Sequence, residues 1–258
     1  MSEFVLQYEN LNVCYGLNES SDFALRDFSL EVSRGEVFAL VGESGSGKST
    51  AGFAAGGLLQ SNNTEVSGRI AVAGRSIPAD DFATLRKNCG VKIGFVFQEP
   101  ASALHPTIRI KTQVAEAIQP RRSREETDLR VAQLLESVQL DPEKRILGSY
   151  PHHLSGGMQQ RIVLAMAIAN SPPVLIADEP TTALDPTIRK EVLELIRNQA
   201  SENARSVLLI THDLGVVSHY SDRMAVLKKG QIVESGDTKR VLANPQHEYT
   251  RELIASAL

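Results

Sequence analysis

The sequence has few cysteines, no long apolar run and no excess of basic residues. Its 258 residues include only Cys14 and Cys89, which lie too far apart in sequence for a metal-binding pair. This predicts a reducing, cytoplasmic setting with buried free thiols. No apolar run approaches the ~20 residues that a bilayer span requires, and residues 1–4 lack the start of a secretion signal. Any membrane association would therefore depend on docking to a spanning partner.

The charge balance is mildly acidic, with 27 Lys and Arg against 31 Asp and Glu and a net charge of -4. Such a balance gives no support for nucleic-acid binding over the whole surface, although a local basic patch stays open. With 42% apolar and 22% charged residues, the chain is typical of one large globular domain, or of one domain with a smaller lobe.

The clearest pattern is a glycine-rich stretch, GESGSGKST, at residues 42–50. It follows the apolar run 37–41 and precedes residues that can be helical through Leu59. This order is that of a phosphate-binding loop, because glycines let the backbone wrap an anion and the next helix adds its positive dipole end. Lys48 is predicted to reach the β- and γ-phosphates, and Ser49 to place its hydroxyl on Mg²⁺.

The nucleotide-binding residues predicted here are Gly42, Ser44, Gly45, Gly47, Lys48, Ser49 and Thr50. The alternative is a glycine-rich turn with a chance lysine, which the flanking strand and helix disfavour.

A second apolar run ends in two acidic residues. Residues 174–177, VLIA, are followed by Asp178 and Glu179. A fully apolar strand is typical of the buried centre of a parallel sheet, and ligands bind at the carboxyl ends of such strands. We predict that Asp178 holds Mg²⁺ through water and that Glu179 accepts a proton from the attacking water or orients it. Phosphoryl transfer needs mainly positioning and charge neutralisation; the alternative is a strand end with two solvated acids.

Hydrophobic periodicity predicts a parallel core with an antiparallel part and a helical lobe. Antiparallel strands are predicted within residues 4–15, 28–32 and 70–72, with a hairpin at 224–234. The strands of the parallel sheet are predicted at 37–41, 91–98, 174–177 and 207–210, alternating with helices at 159–170 and 188–200. A helical pattern with Leu129 among its apolar positions covers 112 to about 140, with a solvated helix start near Arg124, and a last helix follows Pro245.

Residues 154–161, LSGGMQQR, resemble the signature motif of ATP-binding cassette (ABC) ATPases, and they precede the acidic strand as in that family. Other family motifs are similar and stand in the same order: Tyr15 as the adenine-stacking aromatic, Gln98 in the glutamine loop, 182–185 (TALD) as the D-loop and 211–213 (THD) as the switch-histidine loop. The resemblance covers nearly the whole chain. It implies an α/β P-loop NTPase of the ABC nucleotide-binding type, with a parallel-sheet core, an antiparallel β subdomain and a helical subdomain.

The domain organisation expected from this resemblance is a single ABC ATPase domain over residues 1–258. A RecA-like core with the antiparallel β part would cover 1–98 and 161–235. The helical signature subdomain would cover 99–160, and a helical C-terminal tail 236–258. His152 and His153 are expected to be loop residues and not metal ligands, and Met158 to pack.

The resemblance also implies roles for individual residues. The implied catalytic residues are Glu179, His212 and Gln98, with His212 contacting the γ-phosphate and holding the attacking water. Mg²⁺ would be held by Ser49, Gln98 and Asp178. Ser155, Gly157 and Asp185 would serve the ATP of a partner cassette in trans, in a head-to-tail dimer that closes on two ATP molecules. With every motif present, the chain is expected to be an active ATPase.

Four segments narrow the resemblance to importers of dipeptides, oligopeptides and nickel, namely residues 97–106, 150–161, 177–185 and 244–251. The implied partners are two permease subunits, a second ABC ATPase subunit in a hetero- or homodimer and, indirectly, an extracytoplasmic solute-binding protein, with no nucleic acid. The implied location is peripheral, at the cytoplasmic face of the cell membrane. Peptide importers of this group often carry a longer C-terminal extension, in some cases with a cysteine cluster, whereas this sequence stops at Leu258 and has no cysteine there. That shifts the expectation toward nickel or metal chelates and leaves peptides open.

Rival functions share the phosphate loop. A soluble ABC-type ATPase of DNA repair or translation would not be coupled to transport; such chains usually carry coiled-coil or zinc-bearing insertions, or two cassettes. A simple P-loop kinase is disfavoured by residues 154–161. An exporter ATPase would use the same core chemistry, and only the subfamily resemblance disfavours it.

Overall fold

The computed structural model describes residues 3–16, 23–60, 64–120, 123–182, 184–201 and 204–257. The strands are β1 (Phe4–Tyr15), β2 (Phe23–Ser33), β3 (Val37–Val41), β4 (Thr64–Val72), β5 (Arg75–Pro78), β6 (Ile93–Val96), β7 (Val174–Asp178), β8 (Ser206–Thr211), β9 (Arg223–Lys228) and β10 (Gln231–Asp237). The helices are α1 (Lys48–Ala55), α2 (Phe82–Arg86), α3 (Pro100–Ala103), α4 (Ile110–Ala117), α5 (Arg124–Ser137), α6 (Lys144–Gly148), α7 (Gly156–Ala167), α8 (Pro186–Ser201), α9 (Leu214–Tyr220), α10 (Thr238–Ala243) and α11 (Glu248–Ala257).

The strands form two sheets. One is antiparallel, in the order β2-β1-β4-β5; the other has the order β10-β9-β3-β8-β7-β6. In the second sheet every neighbouring pair is parallel except β9 and β10. All residues of β3, β7 and β8 are buried, which explains why these strands are apolar runs without alternation. The parallel order aligns the carboxyl ends of β3, β7 and β8 at one edge, where the candidate site residues of the sequence analysis lie.

The core is divided between the two sheets and the helical lobe. Between the sheets, the rings of Tyr8 and Phe28 meet edge to face at a centroid distance of 5.2 Å. On the other side of the parallel sheet, α4, α5 and α7 share a cluster that includes Val114, Leu134 and Ile162. These contacts tie the lobe to the parallel sheet.

The structure confirms the predicted antiparallel strands, parallel core and helical lobe, and it corrects several bounds. The helical pattern predicted over 112–140 is two helices, α4 and α5, because Pro120 lacks an N–H and disfavours a helical residue before it. The predicted helix start near Arg124 is confirmed, with Ser123 and Glu126 in a capping box. Leu129, taken as part of the apolar face, is 63% exposed.

Other boundaries also differ from expectation. The strand predicted over 91–98 is limited to β6, and Val91 is 43% exposed. The helix after the phosphate loop ends at Ala55 and does not reach Leu59, because Gly57 follows with φ +62. The helix predicted at 159–170 starts at Gly156 and ends at Ala167. The helical tail expected over residues 236–258 consists of two helices, α10 and α11.

Of the two predicted buried thiols, Cys14 is buried and Cys89 is partly exposed, with its Sγ 3.2 Å from the Gly56 carbonyl oxygen. Among the helices of the described ranges, none combines the length and apolarity needed to cross a bilayer. In the same residues, His, Cys, Asp and Glu side chains form no group of three that could hold a metal ion.

Candidate functional site

The glycine-rich loop joins the end of β3 to the start of α1 and packs closely against two strands. Gly47 has φ +106, a left-handed conformation that favours glycine. A Cβ atom there would collide with the Ala24 carbonyl oxygen on β2. A Cβ atom on Gly42 would collide with the Leu227 carbonyl oxygen on β9. These two positions therefore require glycine, as the phosphate-loop prediction implies.

The side chain of Lys48 folds back onto this loop. Its Nζ donates to the carbonyl oxygens of Gly42 and Glu43, each at 2.8 Å, and the residue is 5% exposed. Burial lowers the pKa of Lys48, and the nearby carboxylates of Glu179, Asp178 and Glu43 oppose that shift. A buried ammonium held by carbonyls can turn to a phosphate oxygen, which offers a charged partner in their place.

Asp178 ends β7 and has an unpaired oxygen. It is 4% exposed, and its Oδ1 atom has no hydrogen-bond partner among the described residues. Burial raises the pKa of Asp178; a hydrogen bond from Ser49 and the charge of Lys48 oppose this, while Glu179 adds to it. A buried carboxylate oxygen without a partner is costly. Carboxylate and hydroxyl oxygens are ligands that Mg²⁺ prefers, so Asp178 and Ser49 fit the predicted ion.

Glu179 follows at a sharp turn and is paired with His212. Its φ is +44, which is unusual for a residue with a side chain. Its Oε1 lies 2.8 Å from His212 Nδ1, and Thr182 Oγ1 donates to Oε2 at 2.7 Å. An ionised carboxylate only accepts, so Nδ1 carries the proton in this pair. Burial raises the pKa of Glu179, but the hydrogen bonds from His212 and Thr182 outweigh it and lower the pKa below its usual value.

One cleft brings the start of the glycine-rich loop together with Glu179 and His212, whereas Lys48, Ser49 and Asp178 are not among its lining residues. Its volume is about 720 Å³ and it is lined by Gly42, Glu43, Ser44, Gln98, Glu179, Thr182, His212, Asp213, Leu214, Gly215, Leu253 and Ser256. Gln98 is exposed, two residues after β6. The cleft thus combines an anion-binding backbone, a carboxylate and an imidazole, the groups that phosphoryl transfer to water needs.

Tyr15 lies beside the loop helix and outside the lining of this cleft. It ends β1, is 45% exposed, and its hydroxyl is 3.4 Å from Thr50 Oγ1. Its exposed ring is free to stack on a planar ligand.

Ser155, Gly157 and Asp185 are not among the residues that line the cleft, whereas Thr182 of the predicted D-loop is. Ser155 is exposed and caps α7, its Oγ accepting from Met158 N at 3.3 Å. Asp185 caps α8, its Oδ1 accepting from the amides of Thr187 and Ile188 at 3.2 and 3.1 Å. Both side chains therefore stabilise helix starts, a role that capping chemistry predicts. Ala183 of the predicted D-loop lies outside the described residues.

Gly157 has a packing role that the sequence did not indicate. It is buried, and a Cβ atom there would collide with the Cγ2 atom of Ile188 on α8. The glycine lets α7 and α8 approach closely. Gly156 is exposed, and the nearest side-chain atom to an added Cβ would be Cδ2 of Leu184 at 3.6 Å.

The sequence analysis missed two contacts at the site, that of Thr182 with Glu179 and that of Tyr249 with Glu43. Thr182 could have been found, because its spacing of three from Glu179 suits a local side-chain hydrogen bond. Tyr249 could not: its hydroxyl accepts from the Glu43 amide at 3.3 Å, across 206 residues of sequence. His152 and His153 lie in a short 3-10 turn, Pro151–His153, beside Tyr150.

Comparisons with known proteins find similar sequences over nearly the whole chain. A sequence profile described as "ABC transporter" matches residues 25–182. The oligopeptide transport ATP-binding protein OppD of Lactococcus lactis subsp. cremoris (strain SK11) is 42% identical over 260 residues, which is 99% of this chain and 76% of that protein. The glutathione import ATP-binding protein GsiA of Escherichia coli (strain K12) is 40% identical over 261 residues, 98% of this chain and 42% of that protein.

Solved structures are similar over most of the chain. The dimeric post-hydrolysis state of the ATP-binding cassette MJ0796 bound to ADP and Pi gives a TM-score of 0.78 at 30% identity, covering 90% of this chain and 98% of that one. The cbiO1 protein of Clostridium perfringens, part of the ABC transporter complex cbiONQ, gives a TM-score of 0.78 at 30% identity, covering 94% of this chain and 92% of that one.

Proposed function

Because the chain belongs to the ATP-binding cassette (ABC) transporter family, we propose that it drives uptake of peptides, or of nickel or metal chelates, through partner permeases. The predicted ABC nucleotide-binding fold is confirmed. The chain is an ATPase that binds ATP with Mg²⁺.

The observation that supports the site is the pair of Glu179 and His212 within one cleft with the phosphate loop. Backbone amides of the loop hold the phosphates, and Lys48 turns from its carbonyls to them. Ser49 and Asp178 hold Mg²⁺, which neutralises phosphate charge when bound. Glu179 orients the attacking water or takes its proton. His212 fixes that carboxylate through Nδ1, which leaves its other ring nitrogen for the γ-phosphate.

The remaining predicted residues complete the nucleotide contacts. Tyr15 stacks on adenine, supported by its exposed ring beside α1, and Gln98 senses Mg²⁺ and water from the mouth of the cleft. Gly45, Gly47, Ser44 and Thr50 belong to the loop and the first turn of α1.

We propose a head-to-tail dimer in which Ser155, Gly157 and Asp185 serve the partner's ATP. Two observations support it: these residues do not line their own chain's cleft, and Ser155 is exposed at the amino end of α7. A helix start with a free surface suits an anionic γ-phosphate. The partner is a second cassette, of the same or another chain.

We propose that the chain is divided into a core, a helical subdomain and a helical tail at the boundaries that the sequence predicts. Helices α3 to α6 lie within residues 99–160, and α10 and α11 within 236–258. The boundary between 160 and 161 falls inside α7, which contacts α4 and α5 of the lobe and β6 of the core. This helix thus connects the signature motif rigidly to both parts.

An apolar groove beside Gln98 is the proposed docking surface for the permeases. Its volume is about 260 Å³, and it lies between β6 and α7, with Phe95, Phe97, Val163 and Met166 among its lining residues. The ring centroids of Phe95 and Phe97 are 4.6 Å apart. A groove that borders both the glutamine loop and the lobe can relay nucleotide state to a membrane partner, which would place the subunit at the cytoplasmic face.

The names of the relatives favour peptide-like substrates over nickel or metal chelates. OppD is named for oligopeptide transport and GsiA for glutathione import. The cassette's ATP cleft does not contact the transported molecule, so the choice belongs to the permeases and to a solute-binding protein that delivers it.

Affinity purification of the tagged chain from detergent-solubilised native membranes tests this proposal. We expect two permeases, a second cassette and a solute-binding protein. A groove variant, Met166→Lys, should lose the permeases and retain ATPase activity. The control Leu129→Lys changes an exposed leucine outside the groove and should retain them. Recovery of only soluble partners, ribosomes or DNA would overturn the transport function.

A further inference from the structure

Helix α11 contacts the phosphate loop, and we propose that the Tyr249 hydroxyl positions this loop for ATP. The inference rests on the proposed ATP site. The Glu43 amide donates to Tyr249 Oη at 3.3 Å. Tyr249 is 4% exposed, and Lys228 Nζ lies 4.4 Å from its ring centroid. A buried ring with a cation over its face holds the hydroxyl in one place.

The peptide group that Tyr249 contacts is also the one that Lys48 contacts. The Gly42 carbonyl oxygen and the Glu43 amide belong to a single peptide unit. Lys48 Nζ donates to that oxygen at 2.8 Å, and Tyr249 accepts from that amide. When Lys48 turns to a phosphate, the peptide loses the first bond and keeps the second. Tyr249 therefore holds the loop in the conformation that receives the nucleotide.

Tyr249 is itself held by the edge hairpin. The Glu234 carboxylate on β10 accepts from the amides of Gln246 and His247 at 2.8 and 3.0 Å, just before α11 begins. The Tyr249 amide then donates to His247 Nδ1 at 3.1 Å. A chain of hydrogen bonds thus runs from β10 through the start of α11 to the phosphate loop.

The same helix lines the cleft. Leu253 and Ser256, on α11, stand in the lining with Glu179 and His212. The C-terminal helix therefore forms part of the wall of the ATP site as well as the support of its loop. A preorganised loop binds its ligand with less loss of conformational freedom.

The test is Tyr249→Phe, which keeps the ring, its burial and the lysine over its face. We expect the Kd for MgADP and the KM for ATP to rise about three- to tenfold, with kcat nearly unchanged. A merely structural effect would lower kcat through a smaller folded fraction and leave KM unchanged. Tyr220→Phe, on α9 and outside the cleft, is the matched control and should change neither.

Two outcomes distinguish a failure of the positioning role from a failure of the proposed ATP site. If Tyr249→Phe binds MgADP and ATP as tightly as the wild-type chain, the positioning role is wrong and the proposed ATP site stands. If the wild-type chain itself binds no MgADP, the proposed site fails and with it this inference.

Discussion

At the scale of single residues, the proposed chemistry depends on two adjacent carboxylates in different surroundings, Asp178 and Glu179. Burial raises the pKa of Asp178, whereas hydrogen bonds from His212 and Thr182 overcome burial and lower that of Glu179. Opposite shifts in neighbouring acids are typical of divided roles. In the proposed roles, the carboxylate of Glu179 would act on water, and a bound cation would offset the desolvation of Asp178.

The first prediction concerns Glu179→Gln. This variant should bind ATP with near wild-type affinity but hydrolyse it about 100-fold or more slowly, because an amide cannot take a proton from water. The measurement is the steady-state ATPase rate at saturating MgATP, together with the Kd for ATP. The control Glu116→Gln changes an exposed carboxylate on α4 and should keep the full rate. Near-normal turnover in Glu179→Gln would remove Glu179 as the base.

At the scale of elements, the close packing of α7 against α8 requires a residue without a side chain at Gly157. A Cβ atom there would collide with Ile188, whereas one on Gly156 would make an ordinary contact. We expect Gly157→Ala to lose about 1–3 kcal/mol of unfolding free energy through overpacking, and Gly156→Ala to lose almost none. Urea unfolding of both variants is the measurement.

A double substitution sharpens this comparison. Ile188→Ala should recover part of the loss in the Gly157→Ala chain, because it removes the atom that the new Cβ meets. Equal stability of the Gly157→Ala and Gly156→Ala variants would contradict the packing role. The proposed contact with the partner's nucleotide would then be the only role left for Gly157.

A second element-scale prediction concerns the junction of α8, β9 and β3. Arg197 binds both oxygens of Asp222 at 2.7 and 2.8 Å, and the Val37 amide donates to Oδ2 at 2.8 Å. Burial raises the pKa of Asp222, but these bonds overcome it and lower the pKa below 3.8. A depressed carboxyl pKa stabilises the fold above the unfolded pKa and loses that effect as pH falls through the folded one.

We therefore expect Asp222→Asn to cost about 1–2 kcal/mol at pH 7, after allowing for solvent screening at a side chain that is 40% exposed. The difference from wild type should shrink below about pH 3.8. The measurement is urea unfolding at pH 7 and pH 3. Asp128→Asn is the control, because Asp128 is 42% exposed and pairs with one lysine nitrogen. This variant should lose less unfolding free energy than Asp222→Asn at both pH 7 and pH 3. A cost for Asp222→Asn that grows in acid would contradict the assignment.

Local spacing explains which parts of this structure could be predicted. The phosphate loop, Asp178 and Glu179 follow apolar strands directly, so their places are fixed by adjacent residues. Other features depend on distant partners. The contact of Tyr249 with Glu43 and the packing of Gly157 on Ile188 arise only when separate elements meet. Periodicity missed the break at Pro120 because the apolar residues on its two sides continue one helical pattern.

At the scale of the whole molecule, the proposed dimer requires one chain to present two separate halves of a site. Its cleft holds the phosphate loop, Glu179 and His212, whereas Ser155 stands outside that lining at the exposed start of α7. A head-to-tail dimer would join the cleft of one chain to Ser155 of the other. Symmetry then produces two equivalent sites from a single interface type.

Ser155→Arg should bind ATP and fail to hydrolyse it, since its own cleft is intact and the site it completes lies on the partner. Light scattering of the wild-type chain with MgATP first establishes that it self-associates. Each of the two variants, Ser155→Arg and Glu179→Gln, is then expected to be nearly inactive by itself.

The measurement that tests the central claim most directly is the ATPase rate of an equal mixture of these two variants. In a mixed dimer, the Ser155→Arg chain supplies Glu179 and the Glu179→Gln chain supplies Ser155, so one of two sites is whole. Half of the dimers are mixed, and the mixture should regain at most about a quarter of the wild-type rate. The wild-type chain must first be shown to dimerise. If the mixture is then as inactive as each variant by itself, the shared site is contradicted.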